Sequence, residues 1–84
     1  MVLTYKLNKD LVSRAAMQLN WGLSQLNTNI NICSERTING KSLVGILSGH
    51  FKKNETIKVN FDNESYRDKI IECFNEVGEQ VNDR

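Results

Sequence analysis

Three short runs of alternating apolar and polar residues, separated by segments with helical spacing, most constrain the fold of this chain. The runs are VLTYKL at Val2–Leu7, NTNINICSE with Ile30 and Ile32 on one side, and TIKVNF with Ile57, Val59 and Phe61 on one side. Alternation at period two is typical of a strand with one buried face. A fourth, brief strand is predicted at TIN, Thr37–Asn39, after a polar turn at residues 34–36.

Segments with apolar residues three and four apart lie between these runs and predict three helices. The first extends from Ser13, its N-cap, to about Leu26; the second begins after Ser42, also an N-cap. The third follows Ser65 as its cap and runs nearly to the C-terminus. The three apolar stripes are Ala16, Leu19, Leu23 and Leu26; Leu43, Val44, Ile46 and Leu47; and Tyr66, Ile70, Cys73, Phe74, Val77 and Val81.

The predicted order is therefore β-α-β-β-α-β-α, in one domain over residues 1–84. Each strand has one apolar face, and the residues of the opposite face (Asn29, Asn31, Lys58 and Asn60) are polar enough to meet water. A four-stranded antiparallel sheet covered on one face by helices satisfies both patterns. The fold class is α+β, an open-faced β-sandwich.

The charge balance and the cysteines exclude several classes of function. A net charge of +1 without a clustered basic face argues against a nucleic-acid partner, and no apolar run approaches a membrane span. We therefore expect a soluble, cytoplasmic protein. Cys33 and Cys73 lie outside metal-ligand spacing and are interpreted as small buried thiols, with a disulfide as the alternative. Without paired carboxylates, a metal cluster or a nucleophile–base pair, we expect no enzyme activity, metal or cofactor.

Two strings in this order resemble the HPr family, the histidine-containing phosphocarriers of the bacterial sugar phosphotransferase system. KSLVGILSGHFKKNETI, residues 41–57, is similar to the HPr segment that carries a regulatory serine. LVSRAAMQL, residues 11–19, is similar to the HPr active-site segment, Leu/Ile-His-x-Arg-Pro-Ala. The resemblance covers nearly the whole chain and implies the open-faced sandwich already predicted from the residues.

The resemblance also shows where this chain departs from the family. Val12 occupies the position of the phosphoryl-carrying histidine, and Ala15 replaces the family's proline. An imidazole lone pair can attack phosphorus and pass the phosphoryl group on, which an isopropyl group cannot do. We therefore expect no carrier activity at this position. The chain's single histidine, His50, is interpreted as a solvent-facing or C-capping residue of the second helix, where Gly49 helps to end the helix.

Ser42 is the residue that the resemblance singles out for modification. It occupies the serine that HPr kinase/phosphorylase modifies in some HPr proteins and in Crh, a regulatory relative that also lacks the active-site histidine. A phosphoserine at an N-cap meets free N–H groups and the positive end of the helix dipole, and Lys41 adds a cation beside it. The simpler interpretation is that Ser42 is an ordinary N-cap.

The family docks its partners on the start of the first helix and the aliphatic face of the second. By resemblance, that face here is formed by Leu43, Val44 and Leu47. Met17 and Trp21 are four residues apart and lie off the core stripe. They either extend the docking face or fill the core, and for Trp21 the sequence favours neither alternative. Leu43 and Val44 are successive, so we do not expect both to be buried.

These observations favour an HPr-like protein without carrier activity that regulates by protein–protein contacts, with Ser42 as a possible switch. Its partners would be an HPr kinase-type enzyme, a transcriptional regulator or a transport-system component. The alternative is a module for a small anion or a phosphorylated metabolite that uses Ser13, Arg14 and the first-helix N–H groups, because a cation at a helix start is unfavourable without an anion. A third reading is a degenerate carrier that competes for carrier partners without transmitting anything.

Overall fold

The sheet has five antiparallel strands in the order β3-β2-β4-β1-β5. The computed structural model describes residues 1–81. Its elements are β1 (Val2–Leu7), α1 (Ser13–Ser24), β2 (Ile30–Cys33), β3 (Thr37–Asn39), α2 (Leu43–Ser48), β4 (Thr56–Phe61), a 3-10 turn (Glu64–Tyr66), α3 (Arg67–Asn75) and β5 (Gly78–Gln80). The α+β open-faced sandwich predicted from the sequence is confirmed, with one strand more than expected.

The core lies between one face of the sheet and the three helices. Every apolar residue predicted to point inward from β1, β2 and β4 is buried, as are the stripe residues of the helices that face them. This buried set is Leu3, Tyr5, Leu7, Ile30, Ile32, Ile57, Val59, Phe61, Ala16, Leu19, Leu23, Ile46, Ile70 and Phe74. Removing this apolar surface from water is the main stabilising contribution to the fold. A bilayer crossing would need a longer and more apolar helix than any in residues 1–81.

The fifth strand corrects the prediction of a third helix running nearly to the C-terminus. The helix α3 ends at Asn75, and the chain turns so that Gly78 pairs with Leu7 in β1. A Cβ at position 78 would lie 2.5 Å from the carbonyl oxygen of Lys6, so this close approach requires glycine. Val77 is buried and Val81 is exposed, although their spacing of four fits a helical stripe.

The hydroxyl of Tyr5 connects β1 to the end of α3. It donates to Asn75 Oδ1 at 3.0 Å and to the carbonyl oxygen of Ile71 at 3.3 Å. Burial raises the pKa of Tyr5, against a smaller lowering by the nearby charge of Arg67, so the phenol stays protonated and can donate. The end of α3 is therefore fixed by a partner on another element.

Two of the three predicted helix caps are wrong. Val12, not Ser13, is the cap residue of α1, and Ser13 is the first helical residue with a left-handed φ of 48°. The turn before α3 is capped by the side chain of Asn63, which accepts from the amide of Ser65 at 3.0 Å. The cap at Ser42 is confirmed, because its Oγ accepts from the amide of Gly45 at 3.0 Å.

The first helix ends earlier than expected, whereas the expected role of Gly49 at the end of the second is confirmed. The helix α1 stops at Ser24, and Leu26 is buried in the loop that follows. Gly49 is the C-cap of α2 with an ordinary right-handed φ, while the next residue, His50, takes the left-handed conformation with φ 52°. Both cysteines are free and half-buried, so neither the disulfide nor full burial is observed.

Candidate functional site

The start of α1 is open to solvent and lacks negative charge. Val12 is 47% exposed and Arg14 is exposed. The first turn contains no acidic residue, and Val12 provides no side-chain hydrogen bond to its amides. Among residues 1–81, no hydrogen bond or ion pair engages the guanidinium of Arg14. The arginine therefore adds to the positive end of the helix dipole without a partner among these residues.

Two hydrogen bonds bring the start of α1 to the segment that follows α2. The amide of Leu11 donates to the carbonyl oxygen of Phe51 at 3.0 Å. The amide of Lys53 donates to Asp10 Oδ1 at 2.7 Å. As a result, Val12 and the end of α2 lie at the same end of the molecule, although about 40 residues separate them in the sequence.

Ser42 lies at the other end of α2 as a half-buried N-cap. The side chain of its neighbour Lys41 is directed toward the loop that follows α1. The Nζ of Lys41 donates to the carbonyl oxygens of Leu26 at 2.6 Å and Thr28 at 3.3 Å. Lys41, which was expected to add a cation beside Ser42, therefore has its ammonium on the loop that follows α1. The lysine satisfies carbonyls that follow α1, as basic side chains commonly do beyond a helix C-terminus.

Exposed apolar side chains line the outer surface of α1 and α2. Trp21 is 71% exposed, Val44 is 74% and Met17 is 58%, and Leu47 is also exposed. Leu43 is half-buried and packs against the core. Trp21 thus belongs to the surface and not to the core, which the sequence left open. We call Val12, Met17, Trp21, Val44 and Leu47 the α1–α2 face.

Two glycines show how these side chains are turned toward each other. A Cβ at Gly22 would lie 2.7 Å from Cys73 Sγ, which marks the side of α1 that faces α3. Met17 lies about 140° around the helix from Gly22 when measured across the solvent-facing side that carries Trp21, and it is therefore on the flank away from α3. A Cβ at Gly45 would lie 2.8 Å from Ile38 Cγ2, which marks the β3 side of α2 and leaves Leu47 on the α1 side. Since α1 and α2 pack together, the exposed apolar residues of the two helices are candidates for one contact surface.

The loop after α2 is held by Arg36, a residue that the sequence analysis did not single out. Its Nε donates to the carbonyl oxygen of Gly49, and its guanidinium lies 4.4 Å from the ring centroid of Phe51. Its Nη1 is 3.2 Å from Glu55 Oε2. Arginine in a turn between strands gives no sequence signal for such contacts, because all three partners are at least 13 residues away.

Glu55 is surrounded by donors. Burial pushes the pKa of its carboxyl upward, but the Ser34 hydroxyl, the Lys52 amide and Arg36 together hold the pKa below its usual value. Ser34 Oγ donates to Glu55 Oε2 at 2.7 Å. The exposed His50 lies beside this cluster, and they share an open groove of about 470 Å³. In residues 1–81 no group of three or more His, Cys, Asp or Glu side chains is placed to hold a metal ion.

The geometry describes a small α+β domain with an exposed apolar face on its first two helices. The family model described as "PTS HPr component phosphorylation site" matches residues 2–77. The chain therefore belongs to the HPr family of the phosphotransferase system. Comparison with curated proteins finds no match.

Solved structures of HPr proteins share the fold. A histidine-containing phosphocarrier protein of Mycoplasma superposes with a TM-score of 0.79 at 20% identity, covering 90% of this chain and 93% of that one. HPr-C-His from Thermoanaerobacter tengcongensis gives 0.82 at 18% identity, covering 92% and 90%. The phosphocarrier protein HPr from Bacillus anthracis strain Ames gives 0.77 at 19% identity, covering 92% and 93%. At these identities the likeness concerns the fold alone.

Proposed function

We propose that this HPr-family chain does not carry a phosphoryl group at position 12 and acts by binding other proteins through the α1–α2 face. The observation that carries the proposal is the pair Trp21 and Val44, which are about three-quarters exposed on adjacent helices while the core residues beneath them are buried. Large exposed apolar side chains grouped on one surface are typical of protein contact sites. The partners would be an HPr kinase-type enzyme, a transcriptional regulator or a transport-system component.

The absence of carrier activity follows from the side chain at position 12. Val12 is exposed where the family resemblance places the histidine, and its isopropyl group offers no lone pair to phosphorus. Incubation with phosphoenolpyruvate and enzyme I, followed by intact-mass measurement, should show no added phosphoryl group. A gain of mass in this reaction would contradict the proposal, and restoration of the gain by Val12→His would show that the surface still docks enzyme I.

Ser42 is the proposed switch. Its Oγ is already a cap acceptor, and a phosphate attached there would keep acceptor oxygens near the amide of Gly45. The Lys41 ammonium is bound to two carbonyls, so the phosphate would not gain that cation at its present position. Incubation with HPr kinase and ATP should add one phosphoryl group to the wild type and none to Ser42→Ala. Equal phosphorylation of both would remove Ser42 as the switch.

The contact surface is tested with matched variants. Val44→Ala and Val2→Ala are chemically identical truncations at two different places. The first removes apolar surface from the α1–α2 face, and the second removes it from the exposed start of β1. Titration of enzyme I and of HPr kinase should show weaker binding for Val44→Ala and Trp21→Ala, and unchanged binding for Val2→Ala. Equal effects of the two valine changes would contradict the assigned surface.

The guanidinium of Arg14, which none of residues 1–81 engages, supports a second candidate, the binding of a small anion or phosphorylated metabolite at the start of α1. Titration with inorganic phosphate or a sugar phosphate should then shift the amide resonances of residues 13–16 in a saturable manner. Shifts without saturation would exclude this candidate.

Binding to proteins without any transfer would also make the chain a competitor of true carriers. Pull-down of transport-system components would separate that role from transcriptional regulation.

A further inference from the structure

The face of the sheet that points away from the helices has a row of three asparagines. Asn31 in β2 lies opposite Asn39 in β3 and opposite Asn60 in β4. Because paired residues of neighbouring strands point to the same face, the three carboxamides are adjacent. Ile30 and Ile32, on either side of Asn31, are buried in the core, so the row lies on the face that the helices leave uncovered.

A carboxylate that other residues hold in place lies at the end of this row. Asp62 follows β4 and accepts from the hydroxyl of Thr28, from the amide of Asn29 at 3.3 Å and from Asn29 Nδ2 at 3.1 Å. The Thr28 hydrogen bond and the weaker effect of Asn29 hold the pKa of Asp62 below its usual value, against an opposing effect of desolvation. The carboxylate is therefore both oriented and ionised at neutral pH.

An open groove of about 320 Å³ joins these groups. Its lining residues, which we call the open-face groove, are Met1, Asn29, Asn31, Asn60, Phe61 and Asp62. Oxygen acceptors predominate in it. The Nδ2 of Asn29 is committed to Asp62, and that of Asn60 donates to Cys33 Sγ at 3.3 Å, so each leaves its Oδ1 to accept. Among residues 1–81, no hydrogen bond engages the carboxamide of Asn31.

The charges around these oxygens are of both signs. The amino group of Met1 donates to the carbonyl oxygen of Phe61 at 3.1 Å, and within residues 1–81 it forms no ion pair. Lys58 is exposed further along β4 on the same face, and Glu64 is exposed two residues after Asp62. Nearby cations disfavour a compact, strongly hydrated ion such as Ca²⁺. A guanidinium is weakly hydrated, and its charge is spread over a planar group with five donors.

We infer that the open-face groove binds an arginine side chain of a protein partner. The guanidinium would donate to the Asp62 carboxylate and to the carboxamide oxygens beside it, since charge-assisted bonds between arginine and a carboxylate are the strong ones. A free small molecule fits less well, because small-molecule sites enclose most of their ligand. Met1 and Val2 are 47% and 49% exposed, and Val2 lies opposite Asn60 in β1, so apolar surface for the rest of a protein partner borders the groove.

This contact goes beyond the proposed function, because it uses the opposite side of the molecule. The helices and the core cover the other face of the sheet. A protein bound at the open-face groove therefore leaves the α1–α2 face accessible, and binding at one surface does not require binding at the other.

The test is an NMR titration of the nitrogen-15-labelled chain with a blocked tripeptide, acetyl-alanyl-arginyl-alanine amide. The control peptide has citrulline in place of arginine, which retains the shape but replaces the guanidinium with a neutral urea group. We expect saturable shifts of the Asn31 and Asn60 carboxamides and of the Asp62 amide with the arginine peptide. Binding of the citrulline peptide should be about fivefold weaker.

Three variants assign the binding to the groove. Asp62→Asn should weaken binding about fivefold, whereas Asp68→Asn, the same change at an exposed site on α3, should stay within about twofold of wild type. Asn31→Asp should tighten binding about threefold, because it adds a carboxylate beside that of Asp62. A purely structural role of Asp62 does not predict this gain.

Equal binding of the two peptides, or equal effects of Asp62→Asn and Asp68→Asn, would overturn the assignment. Tighter binding of free L-arginine than of the tripeptide would overturn the protein contact and identify a small-molecule site. Saturable shifts with calcium chloride alone would assign the groove to a metal ion. The absence of any saturable shift would also overturn the inference, and each of these results would leave the proposed function standing.

Discussion

The Nζ of Lys41 lies 2.6 Å from the carbonyl oxygen of Leu26 and 3.3 Å from that of Thr28. The contact joins the residue before the Ser42 cap to the loop that leaves α1. A single side chain therefore connects the end of α1 to the start of α2. The same contact explains why the lysine is half-buried beside an otherwise ordinary helix start.

Replacing this lysine should cost stability without preventing modification of its neighbour. Lys41→Met retains most of the aliphatic stem but loses the charged donor, which should lower the free energy of unfolding by about 1.5–3 kcal/mol. Urea denaturation measures the change, and Lys69→Met on α3 provides the exposed control. Phosphorylation of Ser42 by HPr kinase should persist in the Lys41→Met variant. An unchanged midpoint would show that the two carbonyl contacts contribute nothing.

The hydrogen bonds to Glu55 predict an acid-sensitive loop. Because they hold its pKa below the unfolded value in the native state, the carboxylate stabilises the fold above the unfolded pKa of about 4.3. That contribution should disappear as the pH falls from about 5 through the lower native pKa. Glu55→Gln should therefore be less stable than wild type at pH 7, and the difference should shrink as the pH falls below the unfolded pKa. Thermal unfolding across this range measures both curves, and parallel curves would contradict the assignment.

The residues show why some of the fold followed from sequence and some did not. Ile57, Val59 and Phe61 alternate within one strand, so local periodicity alone identified β4 and its buried face. The strand β5 has three residues without an alternating apolar pattern, and it exists through its pairing with β1, more than 70 residues away. The left-handed φ of Ser13 likewise depends on its tertiary surroundings, which the residue type alone does not predict.

The site was predictable to a similar degree. Met17 and Val44 were proposed as contact residues, and both are exposed. Trp21 was left open between core and contact, although a rotation of about 100° per residue places it nearly opposite the buried stripe of α1, on the side that faces solvent. Arg36 was missed because its partners, Gly49, Phe51 and Glu55, come from segments that only the fold brings together.

Asn20 offers a stabilising substitution near the α1–α2 face. Its Nδ2 is buried, and within the described residues it has no hydrogen-bond partner. A buried donor left unsatisfied costs about 1–3 kcal/mol, and leucine is of similar size with a higher helix propensity. Asn20→Leu should therefore raise the free energy of unfolding by about 1 kcal/mol, and the melting temperature by about 4–8 °C.

Gln18→Leu is the control for this substitution, because Gln18 is exposed on the same helix. Its effect should stay within about 0.5 kcal/mol. Calorimetry of both variants separates relief of the unsatisfied amide from a general gain in helix propensity. Equal stabilisation by the two leucines would assign the effect to propensity, and destabilisation by Asn20→Leu would show that the amide has a role in packing.

Gly22 faces Cys73 where α1 packs against α3, and a double-mutant cycle can measure the coupling between the two residues. Burial and, to a smaller extent, the charges of Glu72 and Glu76 raise the pKa of Cys73, so its thiol is neutral. A Cβ at position 22 would lie 2.7 Å from the sulfur of this thiol. Alanine otherwise favours an α-helix over glycine by about 1 kcal/mol. Gly22→Ala should therefore destabilise the wild type by about 1 kcal/mol but stabilise the Cys73→Ala variant by about 0.5–1 kcal/mol. Urea denaturation of the four chains gives the coupling energy, and stabilisation of both backgrounds by the same amount would mean that the thiol rotates away at no cost.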